Sequence, residues 1–273
     1  MKLAAQSIRN VLGAIAGDIA GSVYEFDNYQ KKDFEIFAPH HGNKCFPTDD
    51  SVMTLAILKA LSESKDDASD LEENAVRYMR EIGRPYSRCG YGGRFYDWMY
   101  SQNPVPYNSF GNGAAMRVSP VSYFAKTLSD AEAFAEKVTK VTHNHPEGLK
   151  GAVVIAGLGY LALQRKSKSE LREYAEKCYD ISFSLDEIRP TYRFNETCME
   201  TVPQAIVAFL ESKDFDDALK NAVSLGGDSD TLAAITCGIA GAYYGVPDWI
   251  EKKVWGFLDD RLKSILAAFE DFK

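Results

Sequence analysis

Two short stretches of the chain place carboxylates and hydroxyls together, each directly before an apolar segment. Residues 226–231 read Gly-Gly-Asp-Ser-Asp-Thr and lead into the apolar run 232–245, and residues 47–50 read Pro-Thr-Asp-Asp ahead of the apolar run 51–61. Asp, Ser and Thr are good helix N-caps, so either stretch alone also fits an ordinary helix start, with Asp228 as the cap of the second helix. Two such starts, each ahead of a buried helix, indicate a shared site.

The donor atoms of these stretches favour a divalent cation. Their side chains are Thr48, Asp49, Asp50, Asp228, Asp230 and Thr231. Four carboxylates in a small volume raise one another's pKa, and each helix dipole offsets only about 1 kcal/mol of the repulsion. Because every donor is a hard oxygen, the stretches favour Mg²⁺, Mn²⁺ or Ca²⁺ over zinc, and four carboxylates suit two ions better than one.

Residues 109–117 form a third stretch with a different character. Gly111 and Gly113 free backbone N–H groups to face outward, and Asn112 and Arg117 add donors. Such a composition can cradle a phosphate or a diphosphate, although Gly-Asn-Gly is equally an ordinary turn. Phe110 is suited to stacking on a base or to packing in the core.

Two histidines stand immediately before Pro146. The spacing of His143 and His145 matches no strong zinc motif. Hydrogen bonding to a phosphate or a ribose, or a structural role, is favoured over metal ligation. A turn before Pro146 is the simplest interpretation of His145.

The elements that must position these residues are helices, because apolar residues recur at helical spacing and strand-like alternation is almost absent. Helices are predicted over residues 7–21, 51–61, 71–82, 94–100, 117–125, 129–141, 147–163, 171–179, 198–211, 216–224, 232–244 and 248–269. No low-complexity linker divides the chain. We therefore expect an all-α fold in one domain spanning residues 1–273.

The first predicted helix and the segment after it have unusual residues. Gly13, Gly17 and Gly21 are spaced by four and predict close packing of another helix. Asp18 lies within this apolar helix and needs a partner, either as a hydrogen-bonded structural acid or as support behind a site. Residues 27–46 show no clean period, and a loop of this length in a compact domain is often a lid.

The composition restricts the partners and the compartment. A net charge of −8 argues against nucleic acid, which usually meets a basic patch. Five dispersed cysteines without a Cys-x-x-Cys pair fit a reducing cytoplasm. The apolar run 11–16 is too short to span a membrane. We expect a cytoplasmic monomer with no membrane partner.

In this order, the stretches resemble the ADP-ribosylglycohydrolase family, which includes the dinitrogenase reductase-activating glycohydrolase. The resemblance covers residues 10–250, nearly the whole chain. Its motifs are Gly13–Glu25, Thr48-Asp49-Asp50, Gly111-Asn112-Gly113 with Met116-Arg117, Thr142-His143 and Gly227-Asp228-Ser229-Asp230-Thr231. The segment 145–148, His-Pro-Glu-Gly, looks like a bacterial subgroup of the family.

The resemblance implies an orthogonal helical bundle with a cleft that holds two Mg²⁺ ions, for which Mn²⁺ is a possible substitute. The matching metal ligands are Thr48, Asp49, Asp50, Asp228, Asp230 and Thr231. The matching substrate-binding residues are Ser109, Phe110, Gly111, Asn112, Gly113, Met116 and His143. The catalytic candidates are Glu25, Asp49, Asp228 and Asp230, with Glu25 on or beside a flap formed by residues 27–46.

The activity that the resemblance implies is hydrolysis of the glycosidic bond between ADP-ribose and a modified protein side chain. The partners are then ADP-ribose and mono-ADP-ribosylated protein. Two alternatives stay open: an ADP-ribose-binding protein without turnover, and a metal-dependent nucleotide or phosphoester hydrolase that uses the same carboxylates.

Overall fold

The computed structural model of the protein describes residues 8–269. Within that range the chain contains α-helices and no β-strand, which confirms the all-α prediction. The helices are α1 Arg9–Gly21, α2 Asp49–Glu63, α3 Leu71–Gly83, α4 Gly93–Tyr100, α5 Val121–Phe124, α6 Leu128–Lys140, α7 Pro146–Leu163, α8 Lys168–Ala175, α9 Leu185–Ile188, α10 Cys198–Leu210, α11 Phe215–Val223, α12 Ser229–Tyr244, α13 Asp248–Phe257 and α14 Asp260–Ala267. Short 3₁₀ turns cover Arg84–Tyr86 and Asn112–Ala114.

Helices α1 and α12 pack antiparallel along the glycine face of α1. A methyl group added at Gly13 or Gly17 would overlap the backbone of α12, and one at Gly21 would lie 2.5 Å from the carbonyl oxygen of Ser229. The prediction of close helix packing is therefore confirmed. Because Gly13 faces the middle of α12 and Gly21 faces its start, the end of α1 meets residues 229–230.

Asp18 joins α1 to the start of α2. Its carboxylate accepts hydrogen bonds from the Thr48 amide (3.0 Å), the Thr48 hydroxyl (2.6 Å) and the Ser51 amide (3.1 Å), and also from the Ser51 hydroxyl. The side chain is completely buried. Both interpretations of Asp18 thus hold, since this hydrogen-bonded structural acid also fixes the backbone that carries Asp49 and Asp50.

The helix predicted over residues 117–125 is wrong for most of its length. Only Val121–Phe124 is helical, because Pro120 restricts the residue before it and takes the N-cap position of α5. The helix predicted over residues 171–179 begins and ends earlier, as α8. Ser167 and Glu170 form a capping box there, a Ser-x-x-Glu signal that the sequence already contained.

The helix predicted over residues 248–269 is two helices. Leu258 is extended (φ −77°, ψ 142°), and the Asp259 side chain accepts the Leu262 amide at 2.9 Å to cap α14. The short helix α9, which was not predicted, likewise begins with a capping box between Ser184 and Glu187. In both places a side-chain cap sets the helix start.

One cluster of buried apolar side chains extends from Val11 in α1 to Leu266 in α14. The assignment of residues 1–273 to one domain stays a prediction. Among the described helices, α7 is long and apolar enough to cross a membrane, and 56% of it is buried inside the molecule. Helices of this composition also occur in the cores of water-soluble proteins.

Candidate active site

A cleft of about 350 Å³ brings the two acidic stretches and the glycine loop together. Its acidic end is lined by Glu25, Asp49, Asp50, Asp228, Asp230 and Thr231. The rest of its lining includes Tyr107, Ser109, Phe110, Gly111, Asn112, Gly113, Met116, Arg117 and His143. Of the catalytic, metal-ligating and substrate-binding candidates that the resemblance implies, Thr48 alone is absent from this lining.

Thr48 lies behind the cleft as the N-cap of α2. Its hydroxyl donates to Asp18 and accepts the Asp50 amide at 3.3 Å. The hydroxyl oxygen of Thr48 is therefore already engaged on two sides, and its predicted contact with a metal stays a prediction.

Two consecutive glycines with a left-handed backbone conformation place the start of α12 at the cleft. Gly226 has φ 74° and Gly227 has φ 68°, and a Cβ on them would lie 2.7 Å from Asn28 and 2.9 Å from Tyr192, respectively. Asp228 follows them at the N-cap position, but its side chain caps no helix amide. It accepts the Asn112 amide group at 2.7 Å instead. Asp228 is thus the N-cap by position, as predicted, but its side chain makes no capping hydrogen bond, because Asn112 holds the carboxylate toward the cleft.

The prediction that the Asn112 side chain adds a donor for a phosphate is wrong. Its side-chain nitrogen donates to Asp228 and, at 3.2 Å, to the Thr201 hydroxyl. Both N–H groups of that amide are engaged, so the side chain positions a carboxylate and adds no donor for a phosphate. Arg117 is also buried below the loop, and its guanidinium donates to the Thr142 hydroxyl at 2.7 Å.

Asp50 and Thr231 join the two helix starts directly. The Thr231 hydroxyl donates to one Asp50 oxygen at 3.2 Å. The other oxygen, Oδ1, is buried and has no hydrogen-bond partner. One oxygen from each of Asp18, Asp50 and Asp230 lies within 4.8 Å of the others. A buried carboxylate oxygen without a donor is the environment that a cation would complete.

The acidic end lacks compensating positive charge. Among the described residues, the ion pairs lie elsewhere in the protein, and none involves Glu25, Asp49, Asp50, Asp228 or Asp230. Burial, and then the charge of neighbouring carboxylates, raises the pKa of Asp50 and of Asp230 well above its ordinary value. The pKa of Asp49 is raised for the same reasons. Divalent cations fit this oxygen-only donor set.

Glu25 lies at the edge of the acidic end, four residues after α1. One oxygen each from Glu25, Asp228 and Asp230 lies within 4.8 Å of the others. Burial raises the pKa of Glu25 to about 7, and the charges of Asp228, Asp18 and Glu196 add to the effect.

The glycine loop lies beside the acidic end, which it contacts through Asn112 and Asp228. The Ser109 hydroxyl accepts the Gly111 amide at 3.2 Å, and the Asn112 backbone amide donates to the Glu196 carbonyl at 2.8 Å. These two hydrogen bonds hold the backbone of the loop in place beside the cleft.

Two aromatic side chains flank the loop. Phe110 is 40% exposed and its ring meets His145 edge-on at 5.3 Å, so it is available for stacking and is not a core residue. His145 accepts the Glu147 amide at 3.1 Å and caps α7, which confirms its structural interpretation.

The ring of His143 lies next to Gly113 of the glycine loop. Its Nδ1 lies 2.7 Å from the Thr142 hydroxyl and 3.5 Å from the Arg117 guanidinium, which can only donate. Nδ1 therefore accepts, which assigns the proton to Nε2, the nitrogen nearest to Gly113. Burial, with the charges of Arg117 and Arg94, lowers the pKa of His143 well below its ordinary value. His143 is thus a neutral donor toward the cleft.

Several cleft residues were not identified from the sequence. They are Met53, Gly90, Gly92, Gly93, Arg94, Phe95, Tyr107, Glu196 and Thr197. Arg94 is exposed and lies over the Tyr107 ring at 4.9 Å, so it supplies the accessible positive charge that Arg117 does not. Gly90 has φ 121°, and a Cβ there would lie 2.6 Å from Asp49 Oδ1. The run Gly90-Tyr91-Gly92-Gly93 was the available signal for this wall.

Comparisons with known proteins identify the family of the chain. The family model described as ADP-ribosylglycohydrolase matches residues 4–270. The chain is 27% identical to ADP-ribosylhydrolase ARH3 of Homo sapiens, over 86% of this chain and 84% of that protein. It is 28% identical to ADP-ribosylarginine hydrolase Tri1 of Pseudomonas putida, over 90% of this chain and 73% of that protein.

Two further comparisons extend the match. The chain is 27% identical to the ADP-ribosyl-[dinitrogen reductase] glycohydrolase of Rhodospirillum rubrum, over 75% of this chain and 72% of that protein. A solved structure described as an ADP-ribosylglycohydrolase-related protein complex has the same fold, with a TM-score of 0.70, 22% identity and 98% coverage of both chains. The family model covers nearly the whole sequence, and the chain therefore belongs to the ADP-ribosylglycohydrolase family.

Proposed function

We propose that the protein hydrolyses the glycosidic bond between ADP-ribose and a modified protein side chain, releasing ADP-ribose. The observation that carries the proposal is the polarity of the cleft. Carboxylates without cationic partners line one part of the cleft, and a glycine loop with the neutral donor His143 and the exposed Arg94 lines another. Such a cleft suits a ligand with ribose hydroxyls at one end and a diphosphate in the middle.

We also propose that the acidic end holds two Mg²⁺ ions, with Mn²⁺ as a possible substitute. The unpartnered Asp50 Oδ1 and the raised pKa values of the buried aspartates support this ligand set. The expected ligands are Thr48, Asp49, Asp50, Asp228, Asp230 and Thr231. When bound, such ions neutralise the carboxylates and orient hydroxyls and water.

The reaction uses water as the nucleophile at the anomeric carbon of the distal ribose. The water forms a new bond to that carbon as the bond to the protein side chain breaks, through an oxocarbenium-like state that nearby carboxylates stabilise. Glu25 takes a proton from the water, because one of its oxygens lies within 4.8 Å of oxygens of Asp228 and Asp230 at the acidic end. The proton then becomes available to the leaving side chain.

The remaining residues bind and orient the substrate. Asn112 holds Asp228 in place through their 2.7 Å hydrogen bond. The Nε2–H of His143 donates into the cleft beside Gly113. Phe110 is exposed on the same loop as Gly113 and provides a face on which an adenine ring can stack.

A panel of defined mono-ADP-ribosylated substrates tests the proposal, with linkages through arginine, serine and other side chains, each assayed in Mg²⁺ and in EDTA. We expect release of intact ADP-ribose from at least one linkage in Mg²⁺ and none in EDTA. Asp228→Ala should abolish release, whereas Asp248→Ala, which removes an exposed carboxylate at the start of α13, should not.

The products separate this reaction from the alternatives. Binding of ADP-ribose by calorimetry without release from any linkage would identify a binding protein. Release of AMP or inorganic phosphate would identify a nucleotide or phosphoester hydrolase. Full activity of Asp228→Ala, or of the wild type in EDTA, would contradict the metal-dependent mechanism.

A further inference from the structure

Outside the cleft, a second group of metal-ligating side chains lies on the loop 27–46. His40 Nε2 is 2.6 Å from Asp27 Oδ2, and His41 Nε2 is 3.7 Å from the same oxygen. One ligand atom from each of the three residues lies within 4.8 Å of the others. Their side chains are 38%, 18% and 71% exposed for Asp27, His40 and His41, so an ion can reach all three from solvent.

The backbone of the loop is shaped so that both imidazoles face one carboxylate. Successive side chains of an extended segment point to opposite sides. His41 instead adopts a left-handed conformation (φ 48°), and Gly42 follows with φ 82°. Paired hydrogen bonds between His40 and Asn43, at 3.0 and 2.9 Å, close this turn. The two imidazole rings therefore lie on the same side, with centroids 4.1 Å apart.

Aromatic packing restricts the more buried of the two histidines. The ring of His40 lies 4.4 Å from the ring of Tyr24 and 5.3 Å from that of Tyr29, measured between centroids. Tyr24 itself is buried just after the end of α1. One imidazole is thus held in place before any ligand arrives, and His41 and Asp27 complete the group from its open side.

We propose that Asp27, His40 and His41 bind one zinc ion, or a similar borderline transition-metal ion, independently of the acidic end of the cleft. Two imidazole nitrogens and one carboxylate oxygen are typical zinc ligands, whereas Mg²⁺ prefers oxygen alone. Zinc bonds of about 2.0–2.1 Å in a tetrahedral arrangement place ligand atoms roughly 3.3 Å apart. The observed separations of 2.6 and 3.7 Å lie on either side of that value.

Such an ion would join Asp27, at the start of the loop, to the two histidines in its later part. Asp27 and His40 are separated by 13 positions in the sequence, so a shared ion closes the intervening loop and reduces its conformational freedom. Asp27 also lies two residues after Glu25. None of the three residues lines the cleft, so an ion held by them would leave the cleft open.

Zinc binding to the full-length protein in excess Mg²⁺ tests the proposal, because excess Mg²⁺ competes with zinc for the oxygen ligands proposed in the cleft. Zinc is titrated against a chromophoric chelator, and Co²⁺ absorption reports nitrogen ligation and coordination geometry. The variants are His41→Ala and Asp27→Asn. His41 is largely exposed, so its variant is expected to fold. Glu35→Gln, which alters an exposed carboxylate on the same loop, is the matched control.

We expect the wild type and Glu35→Gln to bind one Zn²⁺ more than either site variant, or to bind it at least tenfold more tightly. Zinc should also slow amide hydrogen exchange within residues 27–46 of the wild type, and not in His41→Ala. Equal zinc stoichiometry and affinity in all four proteins would overturn the proposal and leave His40 and Asp27 as a hydrogen-bonded pair only. This readout does not depend on catalytic activity.

Discussion

At the scale of single residues, the buried carboxylates at the acidic end of the cleft should destabilise the folded protein when no cation balances their charge. Asp50 is buried, one of its oxygens has no partner, and its pKa is raised by burial and by the charges of Asp18, Asp49 and Asp228. Groups of this kind are retained where they serve binding or catalysis. Function and folding therefore make opposite demands on the same side chain.

Replacing Asp50 by Asn should stabilise the metal-free protein. The change removes a buried charge, and the new amide can donate toward the carboxylates that surround it. We expect the melting temperature in EDTA to rise by roughly 2–4 °C, the shift that about 1 kcal/mol produces in a protein of this size. The increase on adding Mg²⁺ should disappear at the same time. Thermal unfolding with and without Mg²⁺ measures both effects.

The control for this variant is Asp248→Asn at the exposed start of α13. It should leave the melting temperature in EDTA and the Mg²⁺ effect unchanged. A destabilised Asp50→Asn protein that still responds fully to Mg²⁺ would remove Asp50 from the metal ligands.

A separate prediction concerns Glu25, because it is the proposed proton acceptor and is not among the expected metal ligands. Glu25→Gln should lower kcat by about 10²–10⁴-fold, the usual contribution of a positioned general base. The stabilisation by Mg²⁺ should be retained, since the carboxylates of α2 and α12 are intact. Steady-state hydrolysis and thermal unfolding in Mg²⁺ check the two statements.

Glu35→Gln serves as the comparison for Glu25→Gln, because Glu35 is an exposed glutamate on the following loop. Its kcat should equal that of the wild type. An unchanged kcat in Glu25→Gln would exclude Glu25 as the base and leave the role to one of the aspartates in the cleft.

At the scale of helices, α1 positions the site through two of its faces. The glycine face fixes α12, and Asp18 fixes the start of α2. Because both contacts are made by one rigid helix, the carboxylates of α2 and of α12 are placed relative to each other within a small tolerance. A change in the packing of α1 should therefore affect metal binding as well as stability.

Gly17→Ala tests this role of α1. The added methyl group would overlap the backbone at Ala233, and backbone cannot rotate away as a flexible side chain can. We expect a loss of about 1–3 kcal/mol or more in the free energy of unfolding, together with weaker Mg²⁺ binding. Denaturant unfolding and a Mg²⁺ titration of the folded variant measure these effects.

Gly256→Ala is the control, because its added Cβ would meet no atom within 4 Å in helix α13. A glycine inside a helix costs roughly 0.5–1 kcal/mol relative to alanine, so this variant should be slightly more stable. Equal stability of the Gly17→Ala and wild-type proteins would contradict the packing argument.

At the scale of the whole molecule, the cluster of acids should make the proposed metal binding depend on pH. Burial raises the pKa of Asp18 from 3.8 to about 6 and that of Glu25 from 4.5 to about 7. The folded metal-free protein therefore binds more protons than the unfolded chain between these limits. The stabilisation that Asp18 and Glu25 give the folded protein is fully present below their pKa values in the unfolded chain. It is lost as the pH rises through their folded-state pKa values of about 6 and about 7.

Mg²⁺ should compensate for this loss, because the proposed ions would bind the deprotonated carboxylates of the folded protein. We expect the increase in melting temperature on adding Mg²⁺ to be small at about pH 5 and much larger at about pH 8. Differential scanning calorimetry in paired Mg²⁺ and EDTA buffers across this range tests the prediction. An increase that does not depend on pH would contradict the link between the acidic cluster and the metal.

The sequence by itself determined the fold class and the residue types of the candidate site. Helical periodicity depends on local spacing, and the preference of oxygen donors for hard cations depends on residue type, so both are readable along the chain. The glycine spacing of α1 likewise predicted its close packing. Helix ends were less predictable, as at Pro120 and Leu258, because side-chain caps and single backbone angles decide where a helix stops.

Only the tertiary structure decided which side chains act on which. Asn112 holds Asp228, Thr48 turns back to Asp18, and Arg94 provides the accessible charge in place of the buried Arg117. Most of these pairings join residues far apart in the sequence, and no local pattern encodes them. They depend on how α1 packs against α12 and α2, which is set by the fit of the helix surfaces over their whole length.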